Sequence, residues 1–144
     1  MREIKFRGRV KNTNKPQWVY GIVIPPQYSS WEDWTLFDGE RRWIVDPETV
    51  GQYTGYKDVD GKEIYEGDIL ETPDVTGDEM IRMIVKYGEH SKMQCRIHEE
   101  VGFYIEFVNN NWNDIFRHDF LYWQGSKVVG NIHDNPELLK GEEK

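Results

Sequence analysis

Glu3-Ile4-Lys5-Phe6-Arg7-Gly8-Arg9-Val10-Lys11 alternates without a break: Ile4, Phe6, Gly8 and Val10 hold the even positions, and Glu3, Lys5, Arg7, Arg9 and Lys11 hold the odd ones. A period of two sends successive side chains to opposite faces of a strand. The stretch therefore reads as a half-buried β-strand with a basic outer face. Edge strands commonly carry Lys and Arg because charge discourages pairing with stray chains, so the plain reading is a solvated face. The sharper reading is docking onto something acidic: the chain's own C-terminal half, a neighbouring subunit or a nucleic-acid phosphate.

The rest of the chain continues in this idiom. A polar loop, Asn12 to Pro16, leads into Trp18 to Ile24, a run rich in aromatic and β-branched residues that Pro25-Pro26 halts; the first two strands are expected to pair as a hairpin. Asp38-Gly39 sits between Trp34 to Phe37 and Arg41 to Val45, which predicts a hairpin with a type I′ turn, where both central residues take positive φ. Asp60-Gly61 repeats that chemistry between Tyr56 and Tyr65. Glu66-Gly67-Asp68 then turns the chain into Ile69 to Thr72, and a subdomain boundary is placed there. Further strands read at Ile81 to Tyr87, Phe103 to Val108, Phe120 to Trp123 and Lys127 to Ile132. The one helical start is Asn135-Pro136-Glu137-Leu138-Leu139, with a capping Asn and a Pro suited to the first helical position, long enough for one or two turns. The reading is thus an all-β protein of two small β subdomains, 1–66 and 67–140, the second a five-stranded SH3-like barrel, followed by a frayed tail at 141–144.

Composition bounds what such a protein does. The 144 residues carry a net charge of −8, and 38% are apolar, so the aromatic residues must supply much of the core. A single cysteine, Cys95, rules out an intrachain disulfide, and no apolar run approaches the roughly 20 residues of a membrane-spanning helix. A charged, alternating start without an apolar leader points to the cytoplasm. Excess negative charge disfavours general binding to duplex DNA, whose non-specific affinity comes from Lys and Arg on phosphate. The excess is uneven: 10 basic against 11 acidic residues up to Glu66, then 8 against 15.

Signatures of catalysis and metal binding fail on inspection. Asp58-Val59-Asp60-Gly61 resembles the middle of a calcium loop, but aligning Gly61 with the loop's glycine puts Tyr56 and Gly67 where the first and twelfth oxygen ligands belong. Cys95 and His98 have the spacing of half a zinc site without a second pair, and His90, His118 and His133 are scattered. Gly51-Gln52-Tyr53-Thr54-Gly55 has neither the length nor the lysine of a phosphate-binding loop. No catalytic residue, metal or cofactor is expected, and the protein reads as a non-enzyme.

Binding is the remaining class. Tyr28, Trp31, Trp34, Phe37 and Trp43 crowd one stretch, and large rings with few rotatable bonds dominate protein interfaces. They are the candidate protein-binding residues, with core filling the competing explanation, chiefly for Trp34 and Trp43. The alternative is nucleic-acid association through Lys5, Arg7, Arg9, Lys11, Arg41 and Arg42. A second cluster, Trp112, Phe116, Phe120, Tyr122 and Trp123, is expected inside the C-terminal barrel. Aromatic residues beside polar loops, and sheet edges that need covering, predict a homo-oligomer.

Three ordered blocks also carry a family resemblance. Arg2-Glu-Ile-Lys-Phe-Arg-Gly8, then Gln52-Tyr-Thr-Gly55 with Lys57-Asp58 and Asp60-Gly-Lys-Glu-Ile-Tyr-Glu-Gly-Asp-Ile69, and finally Val129-Gly-Asn-Ile-His-Asp-Asn-Pro-Glu-Leu-Leu139 resemble the opening, hallmark and closing segments of the YopX family of phage and prophage proteins. The resemblance implies an all-β protein of a bacteriophage or prophage, acting in the bacterial cytoplasm with a host protein as a possible partner. It brings no established catalytic residues.

Overall fold

The computed structural model describes residues 3–73, 77, 80–91, 99–108 and 125–139. Among them are nine strands, and the only helical pieces are 3-10 turns at Pro26–Tyr28 and Pro136–Leu139. The all-β reading holds. The chain forms two compact units, Met1–Gly55 and Tyr56–Lys144. That division falls earlier than the expected one at Glu66, because Tyr56 and Ile64 pack into the second unit's core.

The first unit contains β1 (Phe6–Val10), β2 (Trp18–Ile24), β3 (Thr35–Phe37) and most of β4 (Arg42–Lys57). β1 pairs with β2, β2 with β3, β3 with β4, and β4 returns to β1, so β1 lies between two strands. β1 is therefore not the solvated edge that its charges suggested. Inside lie Val19, Leu36 and Val45, with Val10, Trp34, Trp43 and Val50 packed against them. Gly8 permits the close approach of β1 to β4: a Cβ there would sit 3.1 Å from the Val45 side chain. The β1–β4 register slips between Arg7, opposite Gly51, and Arg9, opposite Asp46. Pro47, lacking an N–H, lies in the looped-out segment. Thr49 repairs the gap, its Oγ1 accepting the Arg9 N–H at 2.9 Å and donating to the Asp46 carbonyl at 2.6 Å.

The hairpin between β3 and β4 forms where expected with a different turn. Gly39 has φ 103°, but neither Asp38 nor Glu40 has positive φ, so this is not type I′. Asp38 takes over instead: its Oδ1 accepts the N–H groups of Glu40 at 2.9 Å and Arg41 at 2.7 Å. A carboxylate that gathers local N–H groups supplants the positive-φ pair.

In the second unit, β5 (Glu63–Tyr65) returns from the end of β4, and β6 (Asp68–Pro73), β7 (Met80–Ser91), β8 (Glu99–Phe107) and β9 (Lys127–Asn131) form a sheet ordered β8-β7-β6-β9. Ile64, Leu70, Ile81, Met83, Val85, Ile105, Phe107 and Val128 make its core. Each fully buried aliphatic side chain contributes about 1.5–3 kcal/mol, which makes this the stronger of the two cores. The expected strand Phe120 to Trp123, on which closure into a barrel depends, and the second aromatic cluster lie outside the described residues, as do Cys95, His98 and His118.

The hallmark and closing segments meet here. Gly61 donates to the Asp58 carbonyl, Asp58 donates to the Lys62 carbonyl, and Gly61 alone has positive φ, at 84°. That is a three-residue loop with a glycine bulge rather than the type I′ pair. Asp58 is buried, and its carboxylate accepts three backbone N–H groups: Asp60 and Lys62 on Oδ1, and Val128 of β9 on Oδ2. The Ser126 carbonyl accepts the Val59 N–H in return. Both oxygens of the Asp58 carboxylate are thus hydrogen-bonded to the backbone. Asn131 Oδ1 accepts from His133 and Asp134, while Asn135 Oδ1 accepts the Asn131 N–H, so Asn135 braces the end of β9. The Pro136–Leu139 turn is held by Arg82, whose Nη1 donates to the Leu138 carbonyl at 3.1 Å and whose Nε and Nη2 grip Glu71.

Candidate protein-binding face of the N-terminal unit

β2 alternates as its sequence dictates. Val19 points inward at 7% exposure, whereas Tyr20 and Ile22 stand outward at 44% and 61%. The β2–β3 register places Ile22 opposite Phe37, itself 42% exposed. Directly opposed residues share a face, so Tyr20, Ile22 and Phe37 form a contiguous apolar strip. Scattered exposed apolar residues are ordinary on any protein; a contiguous set marks a contact surface.

The five aromatic candidates divide. Trp34 and Trp43 pack against Val19, Leu36 and Val45. Tyr28, Trp31 and Phe37 stay outside, Tyr28 being the most exposed large apolar residue described, at 76%. Tyr28 ends the 3-10 turn that Pro25-Pro26 starts, its N–H donating to the Pro25 carbonyl. Trp31 is placed by its own N–H on Ser29 Oγ at 3.1 Å.

Arg42 joins this group. It lies opposite Phe37, its guanidinium stacks 4.6 Å from the Trp31 ring centre, and its Nε donates to Thr35 Oγ1 at 2.9 Å. Nη2 is buried with no hydrogen-bond acceptor among the described residues. Arg41 stacks on Trp43 at 4.4 Å, and the Trp43 indole donates to Asp38 Oδ2 at 2.8 Å. The N–H of Arg41, then the Trp43 indole, then the N–H of Glu40 hold the Asp38 carboxyl down at about 2.

The cations of β1 are occupied within the chain. Arg7 is only 6% exposed and lies 4.7 Å from the ring of Trp18, while Lys5 lies 5.4 Å from the ring of Tyr53 and 3.6 Å from Glu3. Lys11 pairs with Asp33 at 3.5 Å, and Arg9 is half-buried. The solvated basic face expected from alternation is thus corrected. β1 runs between two strands, so its odd positions are flanked by side chains from both neighbours. Arg and Lys stems covering aromatic rings are favourable because the charged head lies over the negative face of the ring.

Tyr20 and Ile22 were not among the residues singled out from sequence. The alternation of Trp18, Tyr20 and Ile22 against Val19 and Val23 was the signal, masked by the uniformly apolar character of the run. Among the described residues, no three His, Cys, Asp or Glu side chains converge on a metal-sized site, and no helix is long and apolar enough to cross a membrane.

A comparison with curated proteins returns no match. The family model described as YopX protein matches residues 5–140, which takes in the basic strand, the Asp58 turn and the Asn131–Asn135 brace. On that match, extending over nearly the whole sequence, the chain belongs to the YopX family.

Proposed function

We propose that this is a non-enzymatic accessory protein of a phage or prophage, working in the bacterial cytoplasm, whose N-terminal unit binds protein, either another copy of itself or a host factor. The observation that carries the reading is the outward cross-strand pair of Ile22 and Phe37, extended by Tyr20 and bordered by Trp31 stacked on Arg42. Apolar and aromatic side chains with an adjacent arginine are the residues that interface cores favour. Lys5, Arg7 and Lys11 each have an intramolecular partner, which supports this reading. Retention on a nucleic-acid column tests it. Weak retention with a shallow salt dependence is expected; tight retention that falls steeply with salt would establish phosphate neutralisation and overturn the reading.

A further inference from the structure

Resting on that protein-binding reading, we infer that the partner covering the outer face of β2 and β3 is a second copy of this chain, docked face to face about a two-fold axis. The strands of the N-terminal unit pair with one another in sequence and β4 returns to β1, and the apolar surface they present is a face, so association through that face is the mode it suits. The face is apolar where the register brings Ile22 against Phe37, with Tyr20 two residues along the same side of β2.

Charge selects the occupant. Residues 1–55 carry 8 basic and 7 acidic side chains, a net of +1, whereas residues 56–144 carry 10 and 19, a net of −9. Two copies of the second unit repel one another; two copies of the first meet almost without net charge. The exposed β3–β4 hairpin also carries both signs side by side. Glu40 and Arg41 are both exposed there with Arg42 half-buried beside them, and Glu40 makes no ion pair among the described residues. A two-fold contact sets residue i against j and j against i. The Arg41–Arg42 end of one hairpin then faces Glu40 of the other twice over.

Sedimentation equilibrium on the full chain, from about 1 to 100 µM, tests this. A reversible monomer–dimer equilibrium is expected. Ile22→Glu and Phe37→Glu each weaken it about tenfold or more, and Glu40→Arg weakens it as well. Val59→Glu, at an apolar residue 63% exposed in the other unit, leaves it unchanged. Thermal melts confirm that each variant folds, with Ile22→Thr as the milder change at the same position. A monomer throughout, or an oligomer indifferent to positions 22 and 37, would overturn the inference. A monomer that still cross-links to a host protein through position 22 would remove the second copy while leaving the protein-binding reading in place.

Discussion

The carboxylate of Asp58 accepts the backbone N–H of Val128 at 3.0 Å across 70 residues of chain, and so fastens the hallmark turn to the strand that begins the closing segment. Because the same side chain also holds Asp60 and Lys62, it acts at once as turn former and as clamp on the outer side of β9.

Replacing Asp58 should therefore cost more than an ordinary turn substitution. Asp58→Ala leaves three N–H groups without their acceptor, and a loss of about 2–4 kcal/mol is expected in urea unfolding. Burial alone would push this carboxyl up, but the N–H groups of Val128, Lys62 and Asp60, aided by the Lys62 charge, together bring it below 3.8. A depressed folded-state value means that the stabilisation is fully present above the unfolded value and is lost as pH falls through the folded one. The gap between wild type and Asp58→Ala should hold at neutral pH and close below about pH 3.8. A gap independent of pH would show that the charge is not what Asp58 contributes.

Asp38 gives a cleaner titration because it is exposed. Carbon-detected NMR should place its pKa at about 2. Trp43→Phe, which removes the indole donor, should raise the value toward 3.8 without reaching it, since the Arg41 and Glu40 N–H groups remain. Its contribution to the hairpin is likewise present above 3.8 and fades as pH falls toward 2. An unchanged pKa in Trp43→Phe would contradict the indole's role.

Gly130 is required by space. A Cβ there would lie 2.5 Å from Asn135 Oδ1, the atom that accepts the Asn131 N–H. Gly130→Ala should lower stability by about 1–3 kcal/mol, and the same change in an Asn135→Gly background should cost clearly less. Equal costs in the two backgrounds, measured by thermal unfolding, would show that the clash is elsewhere.

Local features of the fold were legible in the sequence and non-local ones were not. Strands and hairpins follow from alternation and from Asp-Gly turns, which act over a few residues. Nothing local announces that β4 returns to pair with β1, and that pairing is what encloses Arg7 and removes the solvated basic face. Pro47, Gly51 and Gly55 punctuate β4 so strongly that its 16-residue continuity is hidden, and the unit boundary was accordingly placed too late in the chain. Turn subtype was missed for a chemical reason: Asp38 and Asp58 use their carboxylates to gather N–H groups, which lets Gly39 and Gly61 carry the positive φ alone. Within the aromatic stretch, sequence identified the ring-rich segment, while inward or outward placement of each ring depended on strand phase. Trp43, opposite Leu36, went in, and Phe37, opposite Ile22, stayed out.

The outer face of β2 and β3 is the proposed protein contact. A photoreactive amino acid placed at position 22 in the full chain, irradiated inside a bacterial host, tests it most directly. Protein adducts at position 22 are expected in clear excess over those from the same residue at position 59, and Phe37→Glu should abolish that excess. Nucleic-acid adducts at position 22, or a yield no greater than at position 59, would contradict it.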